Sequence, residues 1–346
     1  MTQSASNKSI PATLIHGDGI GPEIVKATVR VLDAVDAPFV WDEQIAGMAA
    51  MDEGGDPIPP AVLESIRKTK LALKGPLTTP IGGGFRSVNV RLREEFKLFA
   101  NVRPALTFVP DGRYTDIDLV LIRENLEGMY VGAEHFVPVD GDPHAVAESS
   151  SFITRSGCRR IAEFAFDYAV KNGREKVTIV HKANILKALT GLFLETCLEV
   201  GKKYENRLEI EDKIVDNTAM QLVLNPSQFD VILTTNMFGD ILSDEIAGLV
   251  GGLGMAPGGN IGHDAALFEA VHGSAPDIAG KGIANPTALL LGASMMLDHV
   301  GEQEKASRIR KALEKLIGEG KNLTGDLGGK ATTAEFADMV IAEVTD

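Results

Sequence analysis

Cysteine is nearly absent: Cys158 and Cys197 are the only two in 346 residues. Two thiols make neither a disulfide framework nor a cysteine-rich metal site, and their scarcity points to a reducing compartment, with the cytoplasm the expected location. Positive charge is also in short supply. Lys and Arg total 34 against 48 Asp and Glu, a formal net charge of -14. That balance argues against nucleic acid or an anionic membrane surface as partner, because both are bound through a basic field. No run approaches the roughly 18 apolar residues of a membrane span. Residues 1–11, MTQSASNKSIP, lack the apolar centre of a secretory signal and the arginine-rich character of a transit peptide, so they are expected to be a loose tail. What is present is an ordinary soluble composition, 44% hydrophobic and 24% charged. The length favours two domains, or one large fold with an inserted lobe.

Short apolar runs alternate with helical patterns, the signature of an α/β sheet. Thr13 to His16 reads as a strand, Gly17 to Gly21 as a loop and Pro22 as the first helical residue, where a missing N–H costs nothing. Similar units follow in LALKGP, DLVLIR, KVTIV and FDVILTT. Ligands of open α/β sheets bind beyond the carboxyl ends of the strands, which makes these five ends the candidate site. Residues 133–152 carry few helix formers and a turn-like Asp-Gly-Asp-Pro, as expected of a protruding β excursion. The glycine-rich GGLGMAPGGNIGHD reads as loop and as a lobe boundary, before a helix from Pro286 to His299.

GDGIG at 17–21 is not the G-x-G-x-x-G dinucleotide fingerprint. It is either a turn presenting backbone N–H groups or a purely structural one. Asp240 and Asp244 stand four apart at the start of a predicted helix, so their carboxylates share a face, either a solvated surface or a site. Asp216 follows another apolar run. Three such carboxylates suit a hard cation, magnesium or manganese. Lys182 and Tyr130 follow strands and are either edge residues or an acid-base set beside that cation.

HGDGIGPEI, GPLTTPIGGGFRSVNVRLR, NVRPA, IRENLEGMYVG, VHKANIL, NMFGDILSD, GGLGMAPGGNIG and AVHGSAPDIAGKGIANP, in this order from about residue 12 to the end, closely resemble the β-decarboxylating dehydrogenases. The NAD-dependent isocitrate dehydrogenases are the most similar branch. The resemblance implies an α/β, isocitrate/isopropylmalate dehydrogenase-like two-lobed fold, not a Rossmann fold. In it 1–99 and 253–346 form a large cofactor-binding domain. The span 100–252 forms a small substrate, metal and dimerisation domain, with 133–152 as a β clasp. It assigns isocitrate to Ser87, Asn89, Arg93, Arg103 and Arg123, whose guanidinium forks match carboxylates. Ser87 and Asn89 favour isocitrate over isopropylmalate or homoisocitrate, and Arg86 and Arg91 read as supporting charges. Asp216, Asp240 and Asp244 are implied as Mg2+ or Mn2+ ligands, Lys182 as helper in hydroxyl deprotonation, and Tyr130 as proton donor to the enolate. The implied reaction is that of the tricarboxylic acid cycle, giving 2-oxoglutarate and CO2. NAD is implied as cofactor, with contacts at Thr78, Asn236, Glu269, His272, Gly273, Asp277, Ile278 and Asn285. A homodimer with active sites shared between protomers is implied too; a non-catalytic regulatory role in a hetero-oligomer is the alternative of another class.

Asp277 and Ile278 occupy the positions where the NADP-dependent relatives carry a lysine-tyrosine pair, and Gly325 and Gly329 replace a tyrosine and an arginine. An aspartate accepts hydrogen bonds from a ribose 2'-hydroxyl and repels a 2'-phosphate. The expected outcome is a kcat/KM for NAD well above that for NADP; comparable values would contradict it.

Overall fold

The computed structural model describes residues 9–78, 87–109 and 112–345. Most of the expected tail, and Arg86, lie outside these residues. Ile10 and Pro11 belong to the first strand. The chain divides into two compact units, 1–96 with 107–115 and 250–346, and 97–106 with 116–249.

The first unit begins with β1 (Ile10–Ile15), α1 (Gly21–Ala34), β2 (Phe39–Gln44), α2 (Met48–Gly54), α3 (Pro60–Thr69), β3 (Leu71–Lys74) and α4 (Val88–Glu95). In the second unit come β4 (Ala100–Leu106), β5 (Asp118–Glu124), β6 (Gly128–Val139), β7 (Asp142–Phe152), α5 (Arg155–Lys171), β8 (Lys176–His181), α6 (Leu189–Gly201), β9 (Glu209–Ile214), α7 (Val215–Leu224), β10 (Val231–Thr234) and α8 (Asn236–Leu249). The chain then returns to the first unit with β11 (Pro257–Ile261), β12 (Ala266–Ala270), α9 (Thr287–His299), α10 (Gln303–Glu319) and α11 (Thr333–Thr345).

Strands of the first unit run in the order β2-β1-β3-β12-β11, parallel except for β11. α1 buries Ile24, Val25, Thr28, Val31 and Leu32, a helical stripe. With Leu289, Leu290, Leu313, Phe336 and Val340 it forms one core over Leu14, Leu73 and Phe268. The segment read as a glycine-rich loop contains β11. Its glycines are there for packing, since a Cβ at Gly259 would lie 3.1 Å from both Met295 and Phe268.

The GDGIG turn is structural. Asp18 N donates to Pro76 O at 2.7 Å and Ile20 N to Ser274 O at 2.9 Å. Gly17 and Gly19 have φ of +77° and +57°, and a Cβ would meet those two carbonyl oxygens at 2.3 and 2.0 Å. Only glycine fits so close an approach. Asp18 sits inside the turn and accepts from Met48 N at 2.8 Å and Thr78 N at 2.7 Å.

Strands of the second unit run β4-β5-β10-β8-β9, with β4 antiparallel to β5 and the others parallel. β5, β8 and β10 are almost wholly buried, which is why they read as continuous apolar runs. β9, EIEDKI, is half exposed and shows no such run. β6 and β7 form a separate antiparallel hairpin. Asp140 and Gly141 between them both have positive φ, as a two-residue type I′ turn requires. Phe136 is 56% and Phe152 53% exposed on this hairpin.

A buried ion pair lies in the first unit. Lys74 at the end of β3 and Glu269 on β12 are register partners, with Nζ 2.8 Å from the carboxylate and side chains 1% and 7% exposed. Asn260 Nδ2 donates to Glu269 at 2.7 Å. Burial acts to raise the Glu269 pKa, but Lys74, Arg93 and these hydrogen bonds outweigh it and hold the pKa at about 2, below the ordinary 4.5. A depressed carboxylate stabilises the fold above the unfolded pKa, and that contribution is lost as pH falls through the folded one. Unfolding titrations should therefore show stability falling between about pH 4.5 and 2 in wild type, with this component missing in Glu269→Gln. Glu269→Ala should cost about 3–5 kcal/mol, because it strands a buried ammonium.

Candidate active site

β5 and β10 are neighbouring parallel strands, with Arg123 opposite Thr234 in register. α8 starts two residues after Thr234, so its first turns lie against the end of β5. Arg123 points into this corner with its side chain 1% exposed. Its Nε and Nη2 donate to Asn236 Oδ1 at 3.0 and 2.7 Å, and its Nη1 donates to Asp240 Oδ1. The guanidinium carbon lies 5.0 Å from the centre of the Tyr130 ring, and the Tyr130 hydroxyl donates to Asp240 Oδ2. One aspartate thus holds an arginine and a phenol together.

Arg103 on β4 completes the cluster. Its Nε donates to Asn101 Oδ1 at 2.8 Å, and its Nη1 donates to Ser243 Oγ. Its two terminal nitrogens lie 3.6 Å from Asp240 and 3.6 Å from Asp244. Burial pushes the Asp244 carboxyl up, Arg103 pulls it down, and Asp240 pushes it up again. Burial likewise raises the Tyr130 phenol, and the bond to Asp240 adds to the rise. Tyr130 therefore keeps its proton at neutral pH and is a donor rather than a base.

Lys182 and Asp216 form a second cluster in the same unit. Lys182 follows β8, Asp216 opens α7, and the ammonium donates to Asp216 Oδ1, which holds that carboxyl below its usual range. Among the described residues no group of three or more His, Cys, Asp or Glu is arranged to hold a metal ion. Asp240 and Asp244 present hard oxygens one helical turn apart, and their mutual repulsion suits a divalent cation. Asp216 does not join them within the chain.

The other expected residues lie in the first unit. Ser87 is the N-cap of α4, with Asn89 and Arg93 on the helix, four apart and on one face. Arg93 is 9% exposed, and its Nη2 is 3.9 Å from Glu269. Arg91 grips Asp56 through both terminal nitrogens at 2.7 and 3.3 Å, anchoring the same helix. Thr78 Oγ1 is 2.7 Å from Ser274 Oγ. His272 Nδ1 donates to Gly273 O at 3.0 Å, and burial lowers its pKa, so the ring is neutral at pH 7. Asn285 Nδ2 donates to Asp326 at 2.9 Å, and its Oδ1 accepts from Thr287 N at 2.9 Å. Asp277 and Gly273 are exposed, while Ile278 packs against the core. Gly325 has open space where a side chain would go, but a Cβ on Gly329 would lie 1.8 Å from Leu323 O. The glycine at 329 is thus dictated by the backbone, and the missing arginine there carries no separate message about the coenzyme.

Several residues that hold the site were not read from the sequence. Asn101 and Ser243 steady Arg103. Glu124 accepts from Leu126 N and Glu127 N, and burial pushes its pKa to about 7. Glu127 accepts from Thr154 N and Oγ1. Glu124 and Glu127 lie within the IRENLEGMY motif, but no local pattern tells which backbone groups they hold.

A profile of the isocitrate/isopropylmalate dehydrogenase family matches residues 12–340, and the chain belongs to this family. It is 48% identical over 346 residues to a mitochondrial NAD isocitrate dehydrogenase chain of Dictyostelium discoideum named as regulatory, covering 99% of this chain and 94% of that one. It is 49% identical over 338 residues to a mitochondrial chain of the Arabidopsis thaliana enzyme named as catalytic, covering 97% and 89%. The crystal structure of isocitrate dehydrogenase from Methylococcus capsulatus matches with a TM-score of 0.94 and 53% identity, over 97% of this chain and 100% of that one. The resemblance and the fold it implied are borne out. The cytoplasmic location is not: both of these relatives, and the human alpha chain, are named mitochondrial. Scarce cysteine marks a reducing environment without saying which compartment supplies it.

Asp240 is the counter-charge of a buried arginine, so its replacement has two consequences. Asp240→Asn should abolish most turnover and also lower stability by about 1–3 kcal/mol, less than a fully buried pair would lose because Asp240 is partly exposed. Full activity, or an unchanged denaturation midpoint, would contradict this placement.

Proposed function

We propose that the chain oxidises isocitrate with NAD and decarboxylates it to 2-oxoglutarate and CO2, using Mg2+ or Mn2+, as in the tricarboxylic acid cycle. The observation that carries this reading is the cluster of Arg103, Arg123, Tyr130, Asp240 and Asp244 around the first turns of α8, in a chain about half identical to isocitrate dehydrogenase chains. Three arginines, with Ser87 and Asn89, supply the charge and hydrogen bonds that a tricarboxylate needs. Lys182 and Asp216 beside it help remove the C2 hydroxyl proton as hydride passes to the nicotinamide ring. Tyr130, its phenol held protonated, delivers a proton to C3 of the enolate left by CO2 loss. Asp240, Asp244 and Asp216 would hold the cation, which supplies the electron sink for decarboxylation.

A homodimer follows from the same reading. The cation needs a third carboxylate that is not grouped with Asp240 and Asp244 within one chain. The β6-β7 hairpin, with Phe136 and Phe152 more than half exposed, is of a kind that is marginal without a partner. We assign both needs to a second copy, which would bring its own Lys182 and Asp216 and clasp the hairpin.

A regulatory role has one supporting observation, the name of the Dictyostelium relative. Against it stand Tyr130, Lys182, Asp216, Asp240 and Asp244, all present. The purified chain alone should turn over isocitrate with NAD, and chelation should abolish turnover; no turnover alone would favour the regulatory role. Lys182→Met and Tyr130→Phe should each be inactive and, refolded together, should regain activity, since each hybrid dimer has one intact site. Confirmed hybrids without activity would mean that each protomer uses its own lysine.

A further inference from the structure

We propose that Asn236 is the positioning residue for Arg123, and not the coenzyme contact that the family pattern implies for this position. The inference rests on the isocitrate dehydrogenase reading above. Asn236 is 1% exposed at the first position of α8. Its Oδ1 accepts two hydrogen bonds from Arg123, and its Nδ2 donates to Glu127 O at 3.0 Å. The orientation of the amide is fixed by its surroundings: rotated by half a turn, it would set donors against the guanidinium and an oxygen against a carbonyl. No other side chain of this length accepts on one side and donates on the other.

Glu127 O is itself held in place. Glu124 accepts from Leu126 N and Glu127 N, setting the turn that leads from β5 to β6 and Tyr130. Asn236 therefore ties the Arg123 guanidinium to the same turn that delivers Tyr130. Gly239, one turn further along α8, leaves room for the arginine stem, since a Cβ there would lie 2.6 Å from Arg123 Cγ and 2.7 Å from Arg123 Cβ. A guanidinium has five N–H groups. Two go to Asn236 and one to Asp240, which leaves the remaining hydrogens on the terminal nitrogens for the Tyr130 oxygen and a substrate carboxylate.

Steady-state kinetics of Asn236→Ala and Asn236→Asp in the full-length protein test this, with thermal midpoints recorded alongside. Asn236→Ala should raise the KM for isocitrate by about tenfold or more, the loss of one such contact, and leave that for NAD within about twofold. Asn236→Asp keeps the double acceptor and should hold the isocitrate KM within about threefold of wild type, even where the lost bond to Glu127 lowers the midpoint. A raised KM for NAD with that for isocitrate unchanged would restore the coenzyme role and overturn the proposal. So would unchanged kinetics in Asn236→Ala, or an isocitrate KM in Asn236→Asp as high as in Asn236→Ala. If Asn236→Ala does not fold, the aspartate variant decides alone. A wild type inactive on isocitrate would sink the reaction assignment, and a crystal structure of Asn236→Asp or Asn236→Ala would still judge the inference. Arg123 retained in the aspartate variant and displaced in the alanine variant supports it; Arg123 unmoved in the alanine variant, or displaced in the aspartate one, overturns it.

Discussion

Arg123 carries a permanent charge into a place where 1% of its side chain meets solvent. Removing a guanidinium from water is tolerable only where fixed acceptors replace the lost hydration. Here Asn236, Asp240 and the face of the Tyr130 ring do so together, and they come from a helix start and a strand brought together by the pairing of β5 with β10. The positions of the acid, the phenol and the arginine are therefore mutually dependent. Neither Tyr130 nor Asp240 can shift without exposing or stranding that charge.

The first unit repeats the device with different residues. Lys74 ends β3 as Arg123 nearly ends β5, and it too is buried, with Glu269 on the next strand as its counter-ion. Each unit thus places a buried cation at or near a strand end, matched by an acid from an adjacent element. The requirement is electrostatic before it is catalytic. It explains why Glu269, implied by the resemblance as a coenzyme contact, is 5% exposed and already engaged by lysine and asparagine.

The fold was legible where burial is two-sided. LALK, DLVLIR, KVTIV and VILT are continuous apolar runs because parallel strands covered on both faces have no reason to alternate. β9 and β11 were not, one being charged and half exposed, the other carrying glycines that make room for Met295 and Phe268. The site was legible in its residue types and much less in its contacts. Tyr130 and Asp240 lie 110 positions apart, and nothing local in either segment announces that they meet. GDGIG shows the opposite case: local spacing left a turn presenting backbone N–H groups and a purely structural turn equally open, and the chain uses two of those N–H groups to fasten its own loops.

Gly329 bears on how such a protein changes allegiance between coenzymes. A residue with any side chain there would be driven into Leu323 O at 1.8 Å. A lineage acquiring an arginine at this point must first reshape the turn from Leu323 to Gly329, whose backbone is closed by Leu327 N to Thr324 O and Gly329 N to Thr324 O. Exposed positions such as Asp277 can drift one codon at a time, but this one is locked behind a loop, so the order of the changes is constrained as well as their identity.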